Sequence, residues 1–242
     1  MSPILQLRGL SKSFGAVVVA DKLSYEMQSG EALGIIGPNG AGKTTMFNLI
    51  TGTLTPDKGN VIFLSKDVTK YSAARRCRLG MARSFQVPQP FSGMTVFENA
   101  MIAATQAAGL SGWVAEDSCL KVLEQTNLLD KANVLAGGLN LLDRKRLELT
   151  RALCAKPKLL MLDEIAGGLT EFECISLVQT IKEIHAQGVS IIWIEHVVHA
   201  LMAVVDRLIV IDFGKKIAEG PPKEIMASSE VQEIYLGIEV DG

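Results

Sequence analysis

Over the first thirty residues apolar and polar positions alternate, ILQLRGL and then AVVVADKLSYEM, with breaks at Phe14-Gly15 and Ser29-Gly30. A period of two predicts antiparallel strands. The pattern then changes. EALGIIGPNGAGKTTMFNLITG reads as a short apolar strand, a glycine-rich turn and a helix that ends near Gly52. From about 70 to 155 the spacing is mostly helical: Thr95 and Glu98 form a capping box at the head of MTVFENAMIAATQAAG, and a second helix runs from near Trp113 to Gln125. LLMLDE (159–164) and VSIIWIEH (189–196) are unbroken apolar runs flanking the helix EFECISLVQTIKEIHAQG, which Gly188 terminates. Strand, helix, strand of this kind predicts a parallel sheet buried on both faces. DRLIVIDFGKKIAEG (206–220) reads as a hairpin turning at Gly214, and Pro221-Pro222 precede a last short helix.

Composition narrows the class. A chain of 242 residues, 48% hydrophobic, is long enough to bury roughly 70% of its unfolded surface and excludes a disordered polymer. Its formal charge of -2 gives no general attraction to nucleic acid or an anionic surface, and the short basic run RRCR (75–78) reads as a solvated helix face. Cys77, Cys119, Cys154 and Cys174 are far apart with no C-x-x-C pair, which suits buried or idle thiols in a reducing cytoplasm. No basic segment followed by a long apolar stretch opens the chain, and no apolar run approaches the ~18 residues that span a bilayer. The positive mean hydropathy, +0.26, favours docking against something apolar.

Gly37-Pro38-Asn39-Gly40-Ala41-Gly42-Lys43-Thr44 fits G-x-x-x-x-G-K-S/T, a pattern that average composition produces in about one chain in a hundred of this length. Its glycines let backbone N–H groups converge on phosphate oxygens, Lys43 adds positive charge, Thr44 offers a hydroxyl to Mg²⁺, and the helix N-terminus contributes its dipole. Such a loop needs a second carboxylate for the metal. Asp163 ends the strand LLML, Glu164 follows as the chain leaves the sheet, and His196 ends the next apolar run. Ligands of open parallel sheets bind beyond the carboxyl ends of the strands, where Gly37, Asp163, Glu164 and His196 are expected to gather.

Over essentially its whole length the sequence resembles the ATP-binding cassette (ABC) ATPases. Gly37 to Thr45 match the Walker A loop, Leu159 to Asp163 the Walker B strand, Gln86 in ARSFQVPQPF the Q-loop glutamine, Glu164 the catalytic glutamate and His196 the switch histidine. Phe14, in KSFG, matches the aromatic that stacks on adenine. The resemblance implies an α/β fold: a P-loop NTPase with a RecA-like parallel-sheet core, an N-terminal antiparallel β-subdomain and a helical insert. One ABC domain over 1–242 is then expected, with 1–70 and 156–242 forming the β-subdomain and ATP-binding core and about 71–155 the Q-loop and helical signature subdomain. It also implies MgATP as ligand, with Thr44, Gln86 and Asp163 toward the metal and Lys43, Gln86, Glu164 and His196 in catalysis.

Two cassettes of this family pair head to tail, each P-loop closed by the other chain's signature, L-S-G-G-Q. Leu135-Ala136-Gly137-Gly138-Leu139 looks like that motif, but Leu139-Asn140-Leu141-Leu142-Asp143 has the spacing to Arg151-Ala152-Leu153, and a helix turns 100° for each residue gained or lost. In the spacing register leucines replace both glycines, where a left-handed backbone would cost about 1–2 kcal/mol and side chains would crowd a phosphate. Thr170 stands where the D-loop has Asp or Asn, and Ile165 replaces the usual proline.

A narrower resemblance, carried by RSFQVPQPFSGMTVFENAMIAA, DRKRLELTRAL, IEHVVHALMAVVDRLIVIDFGKKIAEGPPKEI and VQEIYLG, is to the ATPase subunits of bacterial importers of branched-chain amino acids and of related amides and organic acids. It implies a second ATPase subunit, two permease subunits, indirectly a periplasmic binding protein, no nucleic acid, and a place on the cytoplasmic face of the inner membrane. A P-loop GTPase would need an N-K-x-D motif, which is absent, and a small-molecule kinase leaves Gln86 and His196 unexplained. The degraded signature keeps open a regulatory cassette that holds ATP with weak or no hydrolysis.

Overall fold

The alternating stretch at the start of the chain folds as a hairpin. Strands β1 (Leu5–Phe14) and β2 (Val17–Met27) pair antiparallel from Leu5 opposite Met27 to Phe14 opposite Val17, and bury Leu5, Leu7, Leu10, Leu23, Tyr25 and Met27. The computed structural model describes residues 3–236. Next come β3 (Ala32–Ile36), buried at every position, and helix α1 (Lys43–Thr51), which ends on the left-handed Gly52. β4 (Lys58–Phe63) and β5 (Lys66–Asp67) complete a four-stranded antiparallel sheet in the order β2-β1-β4-β5.

The middle of the chain contains α2 (Ala73–Arg78), β6 (Met81–Arg83), α3 (Val96–Gln106), α4 (Gly112–Gln125), α5 (Leu141–Cys154), β7 (Leu159–Asp163) and α6 (Glu171–Ala186). The stretch read as mostly helical contains β6, which runs parallel to β7 with Met81 opposite Leu159. Within RRCR, Arg76 is only 1% exposed, so that run is not a solvated face throughout. The capping box of Thr95 and Glu98 forms as expected, and α3 packs with α4 around Ala100, Ala104, Ala115, Cys119 and Cys154. None of the four cysteines is in a disulfide, and Cys119, Cys154 and Cys174 are buried.

The last part comprises β8 (Ser190–Ile194), α7 (Val198–Met202), β9 (Arg207–Asp212), β10 (Lys215–Gly220), α8 (Pro222–Ala227) and α9 (Ser229–Leu236). Two short helices close the described chain where one was expected, and Gly237 of VQEIYLG lies outside the described residues. β3 lies between β8 and β9 and is parallel to both, and β10 pairs antiparallel with β9 across Phe213-Gly214. By contacts the chain divides into two units, residues 1–73 with 190–242, and residues 74–189. Among the described residues no helix is long and apolar enough to cross a membrane.

Candidate functional site: a phosphate loop and a paired carboxylate

In the unit of residues 1–73 and 190–242, β3 delivers the glycine loop. Ile35 pairs with Ile194, so two residues further on Gly37 and His196 leave the sheet at neighbouring strand ends, as the apolar runs predicted. Gly42, at φ 101°, is the N-cap of α1 with no side-chain cap, which leaves the helix amides to an anion. A Cβ on Gly37 would strike the Ile211 carbonyl oxygen and one on Gly42 the Val19 carbonyl oxygen, so neighbouring main chain fixes both glycines. Gly214 N–H donates to the Ala41 carbonyl at 2.9 Å and braces the loop. Lys43 is buried, its Nζ donating to the carbonyls of Gly37 (2.7 Å) and Pro38 (2.9 Å), while Thr44 is exposed and Thr45 half-buried at the start of α1. Pro38, Asn39, Gly40 and Ala41 form the span between.

Phe14, the last residue of β1, is 53% exposed at the tip of the hairpin whose second strand meets Gly42 at Val19, and the Lys12 ammonium lies 5.6 Å from its ring centre. His196 is exposed, and its backbone N–H donates to the Glu195 carboxylate at 2.9 Å. Glu195, fully buried, did not emerge from the sequence reading. The one signal for it was a charge ending a wholly apolar strand.

In the unit of residues 74–189 the carboxylates come together with the glutamine. Asp163, at the end of β7, is buried; its Oδ2 accepts from Arg83 at 2.5 Å, and its Oδ1 has no hydrogen-bond partner. Arg83, at the end of the short β6, was also missed. Glu164 follows at φ 47°, a left-handed conformation that costs a non-glycine residue about 1 kcal/mol or more and marks functional turns. Gln86 Nε2 donates to Glu164 Oε2 at 2.5 Å. A buried carboxylate oxygen lacking a hydrogen bond is a hard donor of the kind Mg²⁺ takes directly or through water, so the Asp163 side chain fits that ion; in the other unit the exposed Thr44 hydroxyl is a hard oxygen of the same kind.

Helix α5 starts at Leu141, and Asn140 is its N-cap, its side-chain oxygen accepting the Asp143 N–H at 2.8 Å. The Gly137-Gly138 pair lies in a 3₁₀ turn ahead of it. Leu141 and Leu142 are right-handed helical residues, so the strain anticipated for leucine at those positions is not incurred, and only the bulk of the side chains remains. Asp143 is buried against Lys131 at 2.6 Å. Thr170 caps α6 in a second capping box with Glu173. Alanine at Asn140 should destabilise the chain by about 1 kcal/mol and lower its thermal midpoint by roughly 2–4 °C, which calorimetry would detect.

A glycine loop on the middle strand of β8-β3-β9, an uncapped helix start and a carboxylate pair at the end of an apolar strand define a P-loop nucleotide-binding enzyme. The ABC transporter family matches residues 20–167, and the branched-chain amino acid ATP-binding cassette transporter family matches residues 215–241. The chain is 35% identical to the high-affinity branched-chain amino acid transport ATP-binding protein LivG of Salmonella typhimurium, over 97% of this chain and 98% of that protein. It is 30% identical to the lipopolysaccharide export system ATP-binding protein LptB of Acidithiobacillus ferridurans, over 98% of each. Among solved structures, the ADP conformation of an ATP-binding cassette of an ABC transporter superposes with a TM-score of 0.88 at 31% identity, covering 98% of this chain and 100% of that one. The chain belongs to the ABC transporter ATPases; it is a nucleotide-binding ATPase of the ABC α/β fold, similar to the branched-chain amino acid LivG proteins.

Proposed function

We propose that this chain is the ATP-hydrolysing subunit of an importer that takes up branched-chain amino acids or a related small polar or organic-acid solute. In this reading it acts as a single ABC domain on the cytoplasmic face of the bacterial inner membrane. A second ATPase subunit and two permeases complete the complex, fed by a periplasmic binding protein. The observation that carries the import reading is the match of residues 215–241 to the branched-chain amino acid cassettes, supported by the LivG likeness. LptB, named for export, is the alternative that a test must exclude.

The reaction is attack of water on the γ-phosphate of ATP, where positioning and charge stabilisation carry most of the catalysis. The amides from Gly37 to Thr45 and the Lys43 ammonium hold the phosphates, and the exposed Phe14 ring stacks on adenine. Glu164 Oε accepts the proton of the attacking water, and the hydrogen bond from Gln86 orients that carboxylate. His196 contacts the γ-phosphate. Mg²⁺, for which Thr44 and Asp163 offer oxygen ligands with Gln86 as a further one, supplies positive charge against the phosphate oxygens.

In a cell lacking this chain, uptake of radiolabelled leucine, isoleucine, valine or a small organic acid should be lost, and the wild-type chain should restore it. Intact uptake of all of these, or a lipopolysaccharide export defect, overturns the reading. Because Leu141 and Leu142 crowd the face that would close a partner's phosphate site, the chain alone should hydrolyse ATP at least roughly tenfold more slowly than when mixed with a cassette of intact signature. Transporter-like rates from the chain alone would refute that asymmetry.

A further inference from the structure

Helix α5 carries Lys145, Glu148 and Arg151 at intervals of three residues, hence along one face. Each grips the segment just after β6. Lys145 Nζ donates to the Gln86 carbonyl at 3.5 Å, Glu148 Oε1 accepts the Gln89 N–H at 3.1 Å, and Arg151 Nη1 donates to the Gln89 carbonyl at 3.0 Å while its guanidinium lies 5.2 Å from the centre of the Phe91 ring. Lys145 makes a second main-chain bond, to the Glu164 carbonyl at 3.2 Å. Lys145 and Glu148 are each 4% exposed. Withdrawing an ammonium from water is unfavourable unless specific partners replace the water, so an apolar side chain would serve better if this face only filled space.

We propose that Lys145 is a positioning residue for hydrolysis. Its single ammonium ties the main chain of Gln86 to that of Glu164, the two residues whose side chains bond to each other. It thereby supports the left-handed conformation of Glu164 and links both residues to helix α5. The inference rests on the reading of Glu164 as the group that accepts the water's proton.

The test uses the whole 242-residue chain with Lys145→Met and Lys145→Arg, following MgATP hydrolysis, affinity for a fluorescent ATP analogue, and hydrogen exchange over residues 84–91 and 164–167. Lys145→Met should lower kcat by about 10- to 100-fold, since a small misplacement of a reacting group has that cost, while nucleotide affinity stays within about twofold. Exchange in both segments should rise, and arginine, which also donates to two carbonyls, should recover most of the loss. In a Glu164→Gln background the methionine change should add no further loss of turnover. Unchanged kcat and exchange, or a fall in affinity matching the fall in kcat, overturns the proposal. If the methionine variant does not fold, Lys145→Gln is judged by the same two measurements. Should Glu164→Gln itself keep full turnover while Lys145→Met still loosens both segments, the role of Glu164 fails and the tether stands. Should Glu164→Gln lose turnover while Lys145→Met changes nothing, the tether alone fails.

Discussion

Glutamine in place of Glu164 should lower ATP turnover by about 10²–10⁴-fold while MgATP binds as before, because the change removes a proton acceptor and keeps the shape. The position has the marks of a built site. Its backbone sits at φ 47°, and its Oε2 is held by Gln86 at 2.5 Å. An amide there can still meet Gln86 through its carbonyl oxygen, so the local packing survives and the loss falls on chemistry. Phosphate release measured beside equilibrium nucleotide binding separates the two effects. Undiminished turnover would remove Glu164 from the mechanism.

Alanine at Gly42 should weaken ATP binding by about 100-fold, near 3 kcal/mol. The added Cβ would overlap the Val19 carbonyl oxygen, a main-chain atom that cannot rotate away, and φ 101° is unfavourable for any L side chain. Either the loop or β2 must shift, and the amides at the head of α1 then lose their aim. Gly40→Ala is the control, because at φ 84° it has the backbone penalty while a Cβ there meets nothing within 4 Å. Titration with a fluorescent ATP analogue should show a clearly smaller effect for Gly40→Ala, and equal effects would reject the steric argument.

Much of this was legible in the chain because its signals are strong and local. The apolar runs ending in Asp163 and His196, and the glycine loop after Ile36, announce the strands β7, β8 and β3 that the fold contains. The start of α5 is consistent with the spacing argument, for Asn140 caps the helix and the helix begins at Leu141. Other elements gave little sign. The β4–β5 hairpin turns on Leu64 and Ser65 at φ 50° and 62°, a geometry usually announced by Asn-Gly or Asp-Gly. β6 has three residues, too few for a period to show, yet it delivers Arg83 to Asp163. Arg76, Lys145 and Glu195 are buried charges, and polarity alone assigns such residues to the surface.

The placement of β3 sets an order of events during synthesis. Both strands that flank it, β8 and β9, come from residues 190–212, and Gly214 supplies the amide that braces Ala41. The ribosome therefore releases the glycine loop well before the strands that flank β3, and closing so long a span of chain slows assembly. A nascent chain stalled before residue 190 should leave the apolar β3 without its neighbouring strands and fail to retain nucleotide.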